Sequence, residues 1–121
     1  MIIIKGEMTD LNAYIKALNT HYITGNKIKQ QETDRVYWDC MEQKTKGIAD
    51  YPVKIIFHWY SKDSRKDIDN VAFGKKFILD GLTRAGVLAD DSRKYVAALE
   101  DRFYIDAKNP RTEVQIERYA N

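Results

Sequence analysis

The stretch "YPVKIIFHWYS", residues 51–61, constrains the fold more than any other segment. After Pro52, apolar or aromatic side chains stand on both alternating faces: Val53, Ile55, Phe57 and Trp59 on one, Ile56 and Tyr60 on the other. A strand with one wet face alternates apolar with polar residues, so this pattern predicts an inner strand covered on both sides. Such a strand needs sheet neighbours. "MIIIKG" reads as a short β-branched strand ended by Gly6. "YVAALEDRFYID" and "TEVQIERYA" read as two closing strands around "AKNPR", an antiparallel hairpin turning near Asn109-Pro110. Three helices are expected: "TDLNAYIKALNT" with Thr9 or Asp10 as cap, "KIKQQETDRVYWDCMEQKTK" after a break around Gly25 and Asn26, and residues 69–85 stopping at Gly86. Strands before and after helices imply an α/β or α+β fold, a mixed sheet with helices packed on it.

The 121 residues fit a single small domain, 1–121, with one core. Apolar residues at 44% make that core feasible, and charged residues at 31% leave a solvated surface. No apolar run approaches the roughly 20 residues of a membrane span, so no membrane partner is expected. "MIIIKGEMTD" lacks the features of a signal peptide, and Cys40 is the single cysteine; both fit a cytoplasmic location. A net charge of +2 permits nucleic-acid binding without arguing for it. The distribution of charge has to carry that case.

It does so between residues 64 and 94, "SRKDIDNVAFGKKFILDGLTRAGVLADDSRK". Residues i and i+2 of extended chain point the same way, so Asp67 and Asp69 can converge on one ion ahead of the helix. Asp90 or Asp91 returns after the helix and is expected at the same end of the sheet. Oxygen ligands without His or Cys suit Mg²⁺ or Mn²⁺ better than Zn²⁺. Lys62, Arg65, Lys66, Lys76, Arg93 and Lys94 would attract a phosphodiester backbone around that ion. On a wheel of about 100° per residue, Val71, Gly74, Ile78, Leu82 and Ala85 form one apolar stripe. Lys75 lies beside it, whereas Lys76 projects on the side of Asp69 and Asp80.

Simpler readings stand beside these. Asp67 or Asp69 can cap the helix, a role worth about 1 kcal/mol, and Asp90 and Asp91 can be turn residues. Lys27 and Lys29 contact phosphates or form a solvated helix face. His21 and His58 read as packed or surface histidines, Cys40 as a small core residue, and Glu100 as half of a cross-strand ion pair. Trp38, Trp59 and the tyrosines read as core or interface.

"DIDN" (67–70), a lysine in the following helix, "DGL" (80–82), "AGVL" (85–88) and "DD" (90–91), in that order, resemble the RusA family of Holliday-junction resolvases. The likeness is strongest from Tyr51 to Lys94 and extends to "PRTEVQIE". It implies a homodimeric, Mg²⁺-dependent endonuclease that cuts four-way DNA junctions symmetrically, of a kind often carried by phages and prophages. It makes Asp67, Asp69 and Asp91 the metal ligands, with Asp90 sharing or tuning them. The family's essential lysine precedes the "DGL"-like aspartate by four residues, which is Lys76. The interval from Asn70 to Asp80 is longer than in the best-known members, leaving Lys75 as a substitute. Lys62, Arg65, Lys66, Lys75, Arg93, Lys94, Lys27 and Lys29 are the expected DNA contacts. The rival functions are a junction-binding protein that does not cut and a metal-dependent phosphohydrolase acting on small phosphate esters.

Overall fold

A computed structural model describes residues 1–120. Its frame is one mixed four-stranded sheet in the order β1-β4-β2-β3, formed by β1 (Ile2–Lys5), β2 (Val53–Ser61), β3 (Val96–Ile105) and β4 (Arg111–Arg118). As its composition predicts, β2 is an inner strand, with Val53 and Ile55 to Trp59 all buried. It pairs antiparallel with β4 and parallel with β3, in a register running from Val53↔Val96 to Ser61↔Ile105.

The expected hairpin between β3 and β4 does not form, because β2 lies between them. An Asn-Pro turn signal reverses the chain but does not say whether the returning strand pairs with its predecessor or one place further. Here the loop is wide. The Asp106 carboxylate accepts from the backbones of Lys108 and Asn109 and pairs with Arg111 at 2.9 Å, while the Asp106 N–H donates to Ser61 O at the end of β2. The loop thus carries the chain over the end of β2. Placing the most apolar strand between two neighbours buries more apolar surface than leaving it at an edge.

The helices pack on the face bearing Ile55, Phe57 and Trp59, where Val36, Cys40, Phe77, Ile78 and Leu82 complete the core. Helix α1 (Leu11–Thr20) is capped by Asp10, whose carboxylate accepts from Ala13 N at 2.8 Å. Helix α2 (Tyr22–Glu42) begins before the expected break at Gly25 and Asn26. The chain turns instead at His21, an extended residue whose ring accepts from Ile23 N. Gly25 serves packing, since a Cβ there would stand 2.3 Å from Leu18 Cδ2 of α1.

The helix expected over 69–85 is two helices, α3 (Ile68–Ala72) and α4 (Lys75–Arg84). Between them the bonds Gly74 N–Val71 O, Lys76 N–Phe73 O and Phe77 N–Gly74 O tighten the chain to three-residue spacing. Gly74 permits this by lying against Met8, whose Cβ would be 2.7 Å from an added Cβ. A wheel drawn through this joint has the wrong phase beyond it.

Gly81 sets the approach of α4 to α2. A Cβ there would fall 2.5 Å from Val36 Cβ and Cγ1 and 3.1 Å from Thr33 O. Gly81→Ala is therefore expected to destabilise by about 1–3 kcal/mol despite its better helix propensity, as overpacking does. A urea titration checks this, and an unchanged or raised midpoint contradicts it.

The second face of the sheet carries no helix. Long side chains cover it instead: Glu100 pairs with Lys54 at 3.0 Å, and Arg111 lies 3.8 Å over the Tyr60 ring. His58 is buried beneath them, bonded to Tyr104 Oη and Gln115 Oε1. Burial, helped by the Asp39 carboxylate, pushes the Cys40 thiol up to about 11, so Cys40 is a core residue and no nucleophile. Among the described residues, no helix is long and apolar enough to cross a membrane.

Candidate active site

At the end of β2 the chain runs through the basic loop "KDSRK" into α3. The segment after β1 brackets this loop. Lys62 N donates to Glu7 Oε2 at 2.8 Å, and the Lys66 ammonium pairs with Asp10 at 3.0 Å and Glu7 at 3.5 Å. Burial pushes the Asp10 carboxyl up, but the Ala13 N–H and the Lys66 ammonium outweigh it, leaving Asp10 below its ordinary 3.8. Burial likewise opposes the Lys66 charge, yet Asp10 and Glu7 hold it above 10.5. A lowered carboxyl stabilises the fold above its unfolded value, and a raised ammonium stabilises it below its own. The bracket is therefore intact throughout the neutral range and weakens only as pH falls below 3.8 or rises above 10.5.

Asp67 holds the N-cap position of α3 in extended conformation, but its side chain makes no capping hydrogen bond. Asp69 lies in the first turn. Both are exposed, so the capping role does not consume Asp67 and both carboxylates face water. Asn70 accepts from Asn12 N at 2.9 Å and ties α3 to the start of α1.

Asp69 opens onto a groove shared with Phe73, Lys75, Lys76, Asp101 and Phe103. Lys75 crosses it. Its ammonium meets Asp101 Oδ2 at 2.5 Å and lies 5.8 Å from the Phe57 ring centroid. Asp101 Oδ1 accepts from the Trp59 indole at 2.9 Å. Lys76 is more exposed and pairs with Asp80 on its own helix at 3.3 Å. Contrary to the wheel, both lysines line the groove, and Lys75 is the one held across it. Asp101 escaped sequence reasoning. Its signal was a carboxylate at period-two spacing between Leu99 and Phe103, on the apolar face of a strand.

Asp90 and Asp91 do not come to this end. They precede β3, whose start meets the start of β2 through Val53 N–Tyr95 O, and Ala89 N donates to Tyr51 Oη. Asp67 and Asp69 come after the far end of β2. In a parallel pair, the segment leaving one strand and the segment entering the next stand at opposite ends, here separated by the nine residues of β2, roughly 26 Å of strand. Asp90 accepts from Asp91 N at 2.9 Å in a local turn. Among the described residues, no three His, Cys, Asp or Glu side chains gather closely enough to share a metal ion. The single-chain cluster of Asp67, Asp69 and Asp91 is therefore not formed.

The expected cations divide in the same way. Lys62 and Arg65 are exposed near the groove, and Lys66 is engaged in the bracket. Arg93 and Lys94 stand with Asp90 and Asp91, and Lys27 and Lys29 are exposed on α2. Two open carboxylates, all-oxygen donors beside a basic loop, fit a hard divalent cation that keeps waters and takes its other ligands from substrate phosphates.

The groove running from α3 and α4 to the middle of β3 combines carboxylates, which suit a cation, with lysines, which suit a phosphodiester backbone. The family profile described as Endodeoxyribonuclease RusA matches residues 7–117 of the chain. The protein belongs to the RusA family and is an endodeoxyribonuclease of the Holliday-junction-resolvase class. No curated protein sequence matches the chain.

Proposed function

We propose that the protein is a Mg²⁺-dependent endonuclease, with Mn²⁺ as a substitute, that resolves four-way DNA junctions by paired cuts as a homodimer. The observation that supports this most is the groove holding Asp69, Lys75 and Asp101 beside the open carboxylate of Asp67. Asp67 and Asp69 would hold the cation, and Asp90 and Asp91, which stand at the other end of β2 in the same chain, would join the ligand set only from the second subunit. When bound, the cation supplies an activated water and polarises the scissile phosphoryl group.

The remaining work falls to side chains. Lys75, aimed across the groove by Asp101, stabilises the negative charge that builds on the phosphoryl oxygens or the leaving 3′ oxygen. Lys76 assists from the more exposed side. Lys62, Arg65 and Lys66 track the backbone entering the groove, and Arg93 and Lys94 neutralise phosphates beside Asp90 and Asp91. Lys27 and Lys29 contact a flanking arm.

The test is incubation with a synthetic four-way junction and a linear duplex of matching sequence, with and without Mg²⁺. Symmetric nicks in the junction alone, only with the metal, are expected. Junction binding without nicks would favour the non-cleaving rival. Hydrolysis of a small phosphate ester with the junction left intact would favour the phosphohydrolase.

A further inference from the structure

The aromatic side chains at the end of β3 have no part in the chemistry proposed above. Tyr104 is 38% exposed, yet its ring is fixed. Its hydroxyl bonds to His58 Nδ1 at 3.1 Å, and its ring stacks on Tyr60 with centroids 4.6 Å apart. Tyr60 in turn lies under Arg111. Half-buried Phe103 points to the other face of the sheet, as neighbours on a strand do. Ile68 is apolar but 61% exposed, and it stands between Asp67 and Asp69. Exposed apolar groups gathered inside a polar rim mark an interaction surface.

These side chains line one pocket. It lies between the basic loop and the end of β3, with a volume of about 280 Å³ and with Ile68, Phe103 and Tyr104 in its walls. Ser61, Asp63 and Ser64 add two hydroxyls and a carboxylate. Small-molecule sites begin at roughly 300 Å³, so there is room here for one planar ring system with polar edges. Ile68 and Phe103 also line the groove of Asp69, Lys75 and Lys76. They form the partition between the two cavities.

We infer that this pocket takes one unstacked nucleobase of the DNA whose backbone lies in the groove. This rests on the endonuclease reading and adds a base-binding subsite to it. Because the cavities share a wall, a strand with its phosphate at Asp69 has the attached nucleoside within reach of the pocket. Unpaired bases are held by stacking on aromatic rings and by hydrogen bonds to their edges. Phe103 and Tyr104 offer the rings. The serine hydroxyls donate or accept, and Asp63 accepts from amino or imino N–H groups. A ring already fixed by His58 and Tyr60 loses little freedom on binding. A base leaves its stack most cheaply where stacking is already interrupted, so the pocket favours branched over linear DNA.

The test is a cycle between substrate and protein. A single abasic nucleotide is moved through the positions around the crossover of a synthetic junction, and both single-turnover cutting and gel-shift binding are measured. At one position, base removal is expected to lower wild-type cutting by about 5- to 150-fold, the size of one base–aromatic stack. In Tyr104→Ala, slowed already on the complete junction, the same removal is expected to cost less than about twofold. Ser64→Trp fills the pocket from an exposed loop position, leaves the sheet untouched, and is expected to behave alike. Base removal that costs nothing at any position, or costs wild type and both variants equally, overturns the pocket and leaves the endonuclease reading standing. If base removal costs nothing and Ser64→Trp changes the oligomeric state by light scattering, the pocket belongs to an interface between copies and the inference fails. A junction bound but left uncut in Mg²⁺ and Mn²⁺ overturns the endonuclease reading, and the gel shifts then decide on the pocket by the same comparison. A junction that is not bound at all overturns both.

Discussion

Asp69→Asn is expected to abolish junction cleavage while leaving junction binding equal or tighter. Asp69 is exposed at the groove mouth in the first turn of α3. Asparagine keeps the size and one oxygen but loses the charge a hard cation requires. Polarisation by such a cation is worth several kcal/mol in the transition state, and each 1.4 kcal/mol is tenfold, so turnover should fall by at least about 10²–10³-fold. Binding moves the other way, since one negative charge facing the phosphates is removed. The logarithmic dependence of binding on salt should keep its slope, because no lysine or arginine contact is lost. Gel-shift and single-turnover assays on one junction read both effects. Wild-type cutting in Mg²⁺ would place the cation elsewhere.

Lys75→Ala is expected to lower turnover by about 10²-fold or more, as for loss of a preorganised charge donor, and Lys76→Ala by less than about tenfold. The family resemblance assigns the essential lysine to position 76. The groove gives position 75 the stronger claim, because its ammonium is fixed by a carboxylate that Trp59 holds in turn. Fixed charge costs no reorganisation during reaction, whereas Lys76 is exposed and shared with Asp80. Breaking that i,i+4 pair should cost only about 0.3–0.5 kcal/mol of stability. Lys75→Ala leaves Asp101 without its cation, so rates are compared well below both melting temperatures. An inert Lys76→Ala enzyme beside an active Lys75→Ala one would reverse the assignment.

Much of the architecture was legible in the chain. The two apolar faces of 53–60 predicted a buried inner strand, and burial at Ile55, Phe57 and Trp59 bears this out. "MIIIKG" predicted a short strand, and its alternation puts Ile2 and Ile4 inward and Ile3 outward. The cap at Asp10 and the core place of Cys40 were equally local readings. Gly25 and Gly74 misled for one reason. Glycine marks a place where a side chain cannot stand, and sequence does not tell a turn from a close approach by another element. At Gly25 the element is α1; at Gly74 it is Met8, and the chain tightens there by a three-residue spacing that shifts every later residue on the wheel.

The sequence by itself determined the chemistry: which segments carry carboxylates, which carry cations, and which strand must be inside. Periodicity encodes the face a residue occupies, because that depends on a few neighbours along the chain. The tertiary structure alone decided that β2 enters between β3 and β4, that β2 and β3 run parallel, and that Lys75 meets Asp101. Those outcomes arise from competition among distant segments to bury the most apolar strand. From that competition comes the separation of Asp67 and Asp69 from Asp90 and Asp91, since parallel strands put an aspartate after one and an aspartate before the next at opposite ends of the sheet.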